Sequence, residues 1–267
     1  MRQAFFAALS LTLALGMAAP AAGAAEAATA EVSISNVVVT TVALDAEPWI
    51  TGAWPWLVQN TGPGWPASGP ATVAEASLGN AGLLDGSSGW LGSSRQAAVA
   101  NGTASASASV RFSGGDLSSA GAATSFASAS GGEVATATAR LWDAAFMVGG
   151  RTRVVVNLTL DSLSATGQGG TAMALATLGI WHNASGAGFV NAEAQAIDAP
   201  DFSVAYNGPA TLSVSWDNAS SEVAVARITL LTSAQVLSAT AAPVPEPAPA
   251  MLLALGLAAL ALRHRRR

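Results

Sequence analysis

Apolar and polar positions alternate with a period of two through most of the middle of the chain. The clearest stretch is 103–112, where Ala104, Ala106, Ala108, Val110 and Phe112 share one side and Ser, Thr and Arg residues occupy the other. Successive side chains of an extended strand point to opposite faces, so this spacing predicts a half-buried strand. The same period returns at 153–161, with Val154, Val156, Leu158 and Leu160 inward, and at 211–217, with Leu212, Val214 and Trp216 inward. Further strands are expected over 32–42, 123–130, 134–148, 171–181, 202–206 and 223–231, about nine in all. Turn chemistry falls between them: Gly114 and Gly115, Gly131 and Gly132, Gly149 and Gly150, Gly167 to Gly170, Asn207-Gly208-Pro209 and Asp217-Asn218. Frequent strands with no helical period between them predict an all-β fold, an antiparallel β-sandwich of jelly-roll or immunoglobulin-like type. A parallel β-solenoid is the alternative, because Ser, Ala and Gly also suit stacked coils, although the chain shows no fixed repeat length.

Composition sharpens this picture. With 51% hydrophobic and 10% charged residues the chain is too apolar to remain disordered, yet only 6% is aromatic and much of the apolar content is Ala. A buried methyl contributes about 0.8 kcal/mol against roughly 1.5–3 for a buried Val, Leu, Ile or Phe, so such a core is thin and needs many strands. One many-stranded domain over 26–241 is expected rather than two small ones. Cys is absent, which removes disulfides, thiolate metal sites and cysteine nucleophiles. Lys is absent too, all 11 basic residues being Arg, which removes Schiff-base chemistry and a phosphate-binding P-loop.

The two ends are organised differently from the middle. Arg2 precedes an apolar run over 4–17 and the small residues Ala19-Pro20-Ala21 and Ala22-Gly23-Ala24, the make-up of a secretory signal peptide over 1–25. Signal peptidase and the secretion machinery are therefore expected partners, with cleavage after Ala21, Ala24 or Ala25. At the other end Pro243-Val244-Pro245-Glu246-Pro247 breaks any preceding element, 248–262 is apolar, and Arg263-His264-Arg265-Arg266-Arg267 follows. As a helix the apolar run spans about 22 Å against a hydrocarbon core of about 30 Å, so a transmembrane helix here would hold the inner membrane only as a temporary stop. Arg263, Arg265, Arg266 and Arg267 would retain the tail on the cytoplasmic side, leaving everything before Pro243 outside.

A Val-Pro-Glu-Pro element at 244–247, a short apolar run and a terminal Arg cluster together resemble the PEP-CTERM sorting signal of Gram-negative bacteria. The resemblance covers 242–267. It implies that an integral-membrane exosortase recognises Pro245, Glu246 and Pro247 and processes the tail. It also implies export to the cell surface or extracellular matrix, often alongside exopolysaccharide in a biofilm. The Ala/Ser-alternating body is similar in composition to other PEP-CTERM proteins, which implies a location and no activity.

Between the two signals, six Arg (95, 111, 140, 151, 153 and 227) stand against sixteen acidic residues from Glu26 to Glu246, a balance of minus ten, so nucleic acid is not an expected partner. His182 is the one histidine outside the tail, and no Gly-x-Ser-x-Gly elbow accompanies it. It reads as a histidine at a strand end. Asp198, Asp201, Asp217 and Glu193 could offer oxygen ligands to calcium, but they lack the spacing of a calcium loop, and Asp198-Ala-Pro-Asp201 reads as a turn. No metal and no cofactor is expected. Eight Trp against one Tyr is unusual, and Trp49, Trp54, Trp56 and Trp65 lie in one Pro/Gly-rich stretch that could present flat rings to sugar. Trp142, Trp181 and Trp216, on strands, read as space fillers in an Ala-lined core. The sequence therefore leads to a non-catalytic structural or adhesive surface protein, with a carbohydrate-binding module as the alternative and an exported hydrolase behind it.

Overall fold

The computed structural model describes residues 26–44, 53–54, 72–89, 94–112, 121–182 and 188–240. Both end segments lie outside these, including the signal peptide and the apolar run at 248–262 for which a helix is expected. The described body is all-β. In chain order the strands are β1 (Ala28–Ala43), β2 (Ala53–Trp54), β3 (Thr72–Leu78), β4 (Leu83–Gly89), β5 (Arg95–Ala100), β6 (Ala104–Arg111) and β7 (Gly121–Ala129). They continue as β8 (Val134–Val148), β9 (Thr152–Thr166), β10 (Thr171–His182), β11 (Gly188–Ala199), β12 (Phe202–Val204), β13 (Thr211–Asn218) and β14 (Ala224–Leu237).

Two sheets form, one ordered β13-β9-β1-β7-β6-β5 and the other β12-β11-β10-β14-β8-β3-β4, with β2 pairing beside β3 on β8. Every strand pair is antiparallel, which sets aside the parallel solenoid. The alternation read from the sequence is the alternation of burial. In β6, Ala104, Ala106, Ala108 and Val110 are buried, and in β13 Leu212, Val214 and Trp216 are. These inward faces and those of the second sheet close on one continuous core.

That core is graded along the strands. In the larger sheet, register aligns Ala76, Ala137, Ala234, Ala174 and Ala196 as a row of five buried alanines across β3, β8, β14, β10 and β11. Two rows away lie Leu141, Leu230 and Leu178, followed by Ile228 and Ile180. Side chains are therefore shorter in the alanine row than in the Leu and Ile rows, and the sheets must approach more closely where they are short. Ser125 of β7 and Thr232 of β14 record the approach. Their hydroxyls meet across the core at 2.8 Å, Ser125 also reaches the Thr232 carbonyl at 3.1 Å, and Thr232 Oγ1 donates to Ala139 O at 3.3 Å. Two such short side chains can touch only if the backbones lie about 7–8 Å apart, against about 10 Å for ordinary stacked sheets.

Turns match the residues that predicted them, with one exception among those described. Asp217 and Asn218, expected as a turn, instead end β13, and the chain turns just after them; Gly114 and Gly115 lie outside the described residues. Gly131 and Gly132, both at positive φ (69° and 87°), join β7 to β8 and carry the chain from one sheet to the other. Asn36, at φ 51°, sits where β1 loses register with β7 and β9, an extra residue accommodated as a bulge. The chain leaves the body under restraint: Ser238 donates its amide and hydroxyl to Glu133 O at 3.0 and 3.1 Å and accepts from Gly132 N at 3.0 Å.

Candidate functional site

The residues expected to carry chemistry do not converge. His182, the last residue of β10, turns inward and stacks on Trp216 of the opposite sheet, ring centroids 4.6 Å apart and planes 15° from parallel. Asp198 Oδ2 accepts the Gly167 amide at 2.6 Å and braces the turn between β9 and β10. Glu193 Oε1 accepts from Asn191 at 3.0 Å on the same strand. Asp201 lies in the turn joining β11 to β12, the role that Asp-Ala-Pro-Asp predicts. Asp217 is held by Arg153 through two bonds of 2.6 and 2.8 Å on the outside of the smaller sheet. That hydrogen-bonded pair sets the carboxyl of Asp217 below its ordinary pKa and raises that of the guanidinium. Among the described residues no three His, Cys, Asp or Glu side chains gather as a metal would require.

The outer faces of the two sheets differ in kind. On the smaller sheet Ser105, Ser107 and Ser109 of β6 stand in register with Ser128, Phe126 and Thr124 of β7, and beyond them with Thr29, Glu31 and Ser33 of β1. This face is largely hydroxyl, tied locally by Ser109 to Thr124 at 2.8 Å and Ser162 to Glu31 at 2.8 Å.

The larger sheet carries an aromatic and charged face instead. Register places Phe189, Trp181 and Arg227 in one row across β11, β10 and β14. The Arg227 guanidinium lies over the Trp181 ring, 5.0 Å from its centroid. Trp181 thus belongs to this outer face, whereas the sequence suggests a core filler; Trp216 is buried, 8% exposed. One row along, the Phe189 ring lies against the bare backbone of Gly179: a Cβ there would come within 2.5 Å of Phe189 Cε2 and Cζ and 2.8 Å of Thr229 Oγ1. Phe189 keeps 54% of its surface exposed. On the far side Arg140 pairs with Glu75 at 2.9 Å, the two side chains 35% and 46% exposed. Between these groups is a surface cavity of about 290 Å³ lined by Arg140, Thr177, Phe189, Thr229, Leu230 and Leu231.

Sequence reasoning did not single out this face. Its signal was the pair Trp181 and Phe189, eight residues apart in the sequence, which only the antiparallel register of β10 and β11 brings together. Of the tryptophans at 49–65, Trp54 alone is described, on β2 opposite Met147; Trp49, Trp56 and Trp65 lie outside the described residues. So do the sorting residues Pro245, Glu246 and Pro247 and the tail residues Arg263, Arg265, Arg266 and Arg267.

Comparison with curated proteins and with solved structures finds no match to the chain. A family model does match at the C-terminal end, over residues 243–267, and its description is the PEP-CTERM protein-sorting motif. The chain therefore carries the C-terminal sorting signal of exosortase substrates, which implies an exported protein, anchored transiently in the membrane until exosortase cleaves it.

Proposed function

We propose that the exported body is a non-catalytic structural or adhesive component of the cell surface or extracellular matrix, working beside exopolysaccharide in a biofilm. The observation that carries this reading is the dispersal of reactive groups. His182, Asp198, Glu193 and Asp217 each serve a bracing contact on a separate part of the sandwich. What the body offers outward instead are two broad sheet faces, one of hydroxyls and one with aromatic rings. A sandwich with an apolar core and few charges suits a passive element of the cell exterior. Export begins at the signal peptide over 1–25 with signal peptidase and the secretion machinery, and the Arg-rich tail stalls the chain in the inner membrane for exosortase.

The reading is tested by following tagged protein in a wild-type host and in one lacking exosortase. Tail-free protein in the matrix of the first, and membrane-held protein with Arg267 still attached in the second, is the expected result. Equal delivery of uncut protein in both hosts would overturn the sorting role. Release of reducing sugar from the host's own polysaccharide by the purified protein would overturn the non-catalytic one.

A further inference from the structure

We infer that the cavity on the outer face of the larger sheet, between Phe189 and the Arg140–Glu75 pair, binds a short stretch of neutral polysaccharide, one or two pyranose units filling it. The inference deepens the matrix reading above and rests on it.

Three features carry it. The first is a sugar-sized hollow with an aromatic wall. Because Gly179 has no side chain, the Phe189 ring lies down against the sheet and forms one wall of the hollow while remaining half exposed. A pyranose presents flat C–H faces, and an exposed aromatic ring is the surface that buries them while the ring's edge hydroxyls stay in water. The cavity, about 290 Å³, stands at the small end of ligand sites, which run from about 300 Å³ upward. The second is the polar equipment at the rim. Arg140 gives a fork of donors with the Glu75 carboxylate bonded to it at 2.9 Å, and Thr177 and Thr229 add hydroxyls. Vicinal sugar hydroxyls donate and accept together, so a partly exposed ion pair can serve both at once, and charged groups make the stronger bonds. The third is charge. Arg140 is already matched by Glu75, and the exported region carries sixteen acidic residues against six Arg, so a polyanion meets repulsion where a neutral chain does not. The sheet continues past the cavity along the Phe189, Trp181 and Arg227 row, which gives a longer chain somewhere to lie.

The test is affinity electrophoresis of the exported protein recovered from its natural host. Native gels are cast with hydroxyethylcellulose, with galactomannan, with dextran, with alginate, or with nothing. Retardation in at least one neutral gel and none in alginate is expected, with Phe189→Ala and Gly179→Ser each weakening it at least tenfold in the concentration of polysaccharide needed. Both variants act on the same wall, one removing the Phe189 ring and the other pushing it off Gly179, so a shared loss marks the cavity. Arg140→Gln should weaken binding in the same gels, and Phe202→Ala, on the edge strand β12, should not. Circular dichroism and urea midpoints confirm that each variant is folded, and a variant that fails this check is replaced by Thr229→Leu, which crowds the same hollow. Four results would overturn the inference: no retardation in any neutral gel, preference for alginate, retardation unchanged in Phe189→Ala and Gly179→Ser, or a wild-type dimer that Phe189→Ala turns into a monomer, which would give the face to a second copy of the chain. The matrix reading fails separately, in the localisation experiment above.

Discussion

The hydroxyl contact between Ser125 and Thr232 makes a prediction that separates a working core hydrogen bond from an incidental one. Both residues are fully buried, and the contact ties β7 of one sheet to β14 of the other. Ser125→Ala removes one hydroxyl, but Thr232 Oγ1 keeps Ala139 O as acceptor at 3.3 Å. Thr232→Val removes the other, but Ser125 keeps the Thr232 carbonyl at 3.1 Å. Neither single change strands a polar group, so each should cost about 1 kcal/mol, the net worth of one hydrogen bond. The double variant loses the same hydroxyl–hydroxyl bond only once and leaves two apolar groups facing each other. Its cost should fall short of the sum by about 1 kcal/mol, since deleting both partners of a buried bond is nearly neutral. Thermal unfolding followed by Trp fluorescence reads all four proteins, and each 1 kcal/mol should appear as roughly 2–4 °C in Tm for a body of this size. Costs that add to within about 0.3 kcal/mol would show that the two hydroxyls do not act on each other. Two singles indistinguishable from wild type would show that the close approach of the sheets owes nothing to this bond.

Ala137→Leu, in the middle of the five-alanine row, should destabilise by about 1–3 kcal/mol or prevent folding, because the sheets are too close there to admit three more carbons; a urea midpoint equal to wild type would mean that the row has slack. Asn218→Ala removes a buried amide that donates to Val148 O, Gly149 O and Glu222 O at 3.3, 2.9 and 2.7 Å. It should cost about 2–3 kcal/mol by the same measurement. Asp217→Asn should show its effect only above the carboxylate range. Arg153 lowers the pKa of Asp217 in the folded state, so the contact adds stability above about pH 4 and loses it as pH falls further. The gap between wild type and variant should shrink from pH 6 to pH 3, and stay small throughout because both groups face solvent; a gap that widens on acidification would contradict the sign.

Strands whose inward residues contrast sharply with their outward ones were legible in the sequence. β6, β9 and β13 declare themselves through Val, Leu, Phe or Trp against Ser, Thr and Arg, and the turn at 131–132 through its paired glycines, which the structure holds at positive φ. β3 and β11 hide because their inward residues include Ala74, Ala76, Ala194 and Ala196, which sit as readily in a helix or a loop. β4, Leu-Leu-Asp-Gly-Ser-Ser-Gly, has no alternation and is a strand only because β3 lies beside it. β5 likewise exists by pairing with β6. Strand count therefore rises from about nine to the fourteen observed, while the class holds. The aromatic face was illegible for a different reason. Trp181 and Phe189 are tied only by the register of β10 and β11, and whether a Trp on a strand faces in or out depends on the parity of its neighbours. His182 takes the inward place next to it, against Trp216, so Trp181 must face out.

Strand order also constrains when the body can form. β14 is the last strand of the chain, yet it runs through the middle of the larger sheet, with β10 on one flank and β8 on the other. Until it arrives that sheet is two fragments, β8-β3-β4 with β2 and β10-β11-β12, each with an unpaired inner edge. Ile228, Leu230, Ala234 and Val236 then complete the core, and Ser238 fastens the chain to Glu133 and Gly132 five residues before the sorting motif begins at 243. Loop-closure entropy is met before such a long-range strand gains its contacts, so folding should be late and all-or-none with respect to β14. An exported chain ending at residue 223 should be insoluble or degraded, because open edges of flat, Ala-rich strands pair with one another. One ending at residue 240 should be soluble and as resistant to protease as the processed protein, since it keeps β14 and its Ser238 fastening. Equal protease resistance of the two truncated chains would mean that the sheet closes without its central strand, and that the register drawn here for β8, β10 and β14 is not what holds the body together.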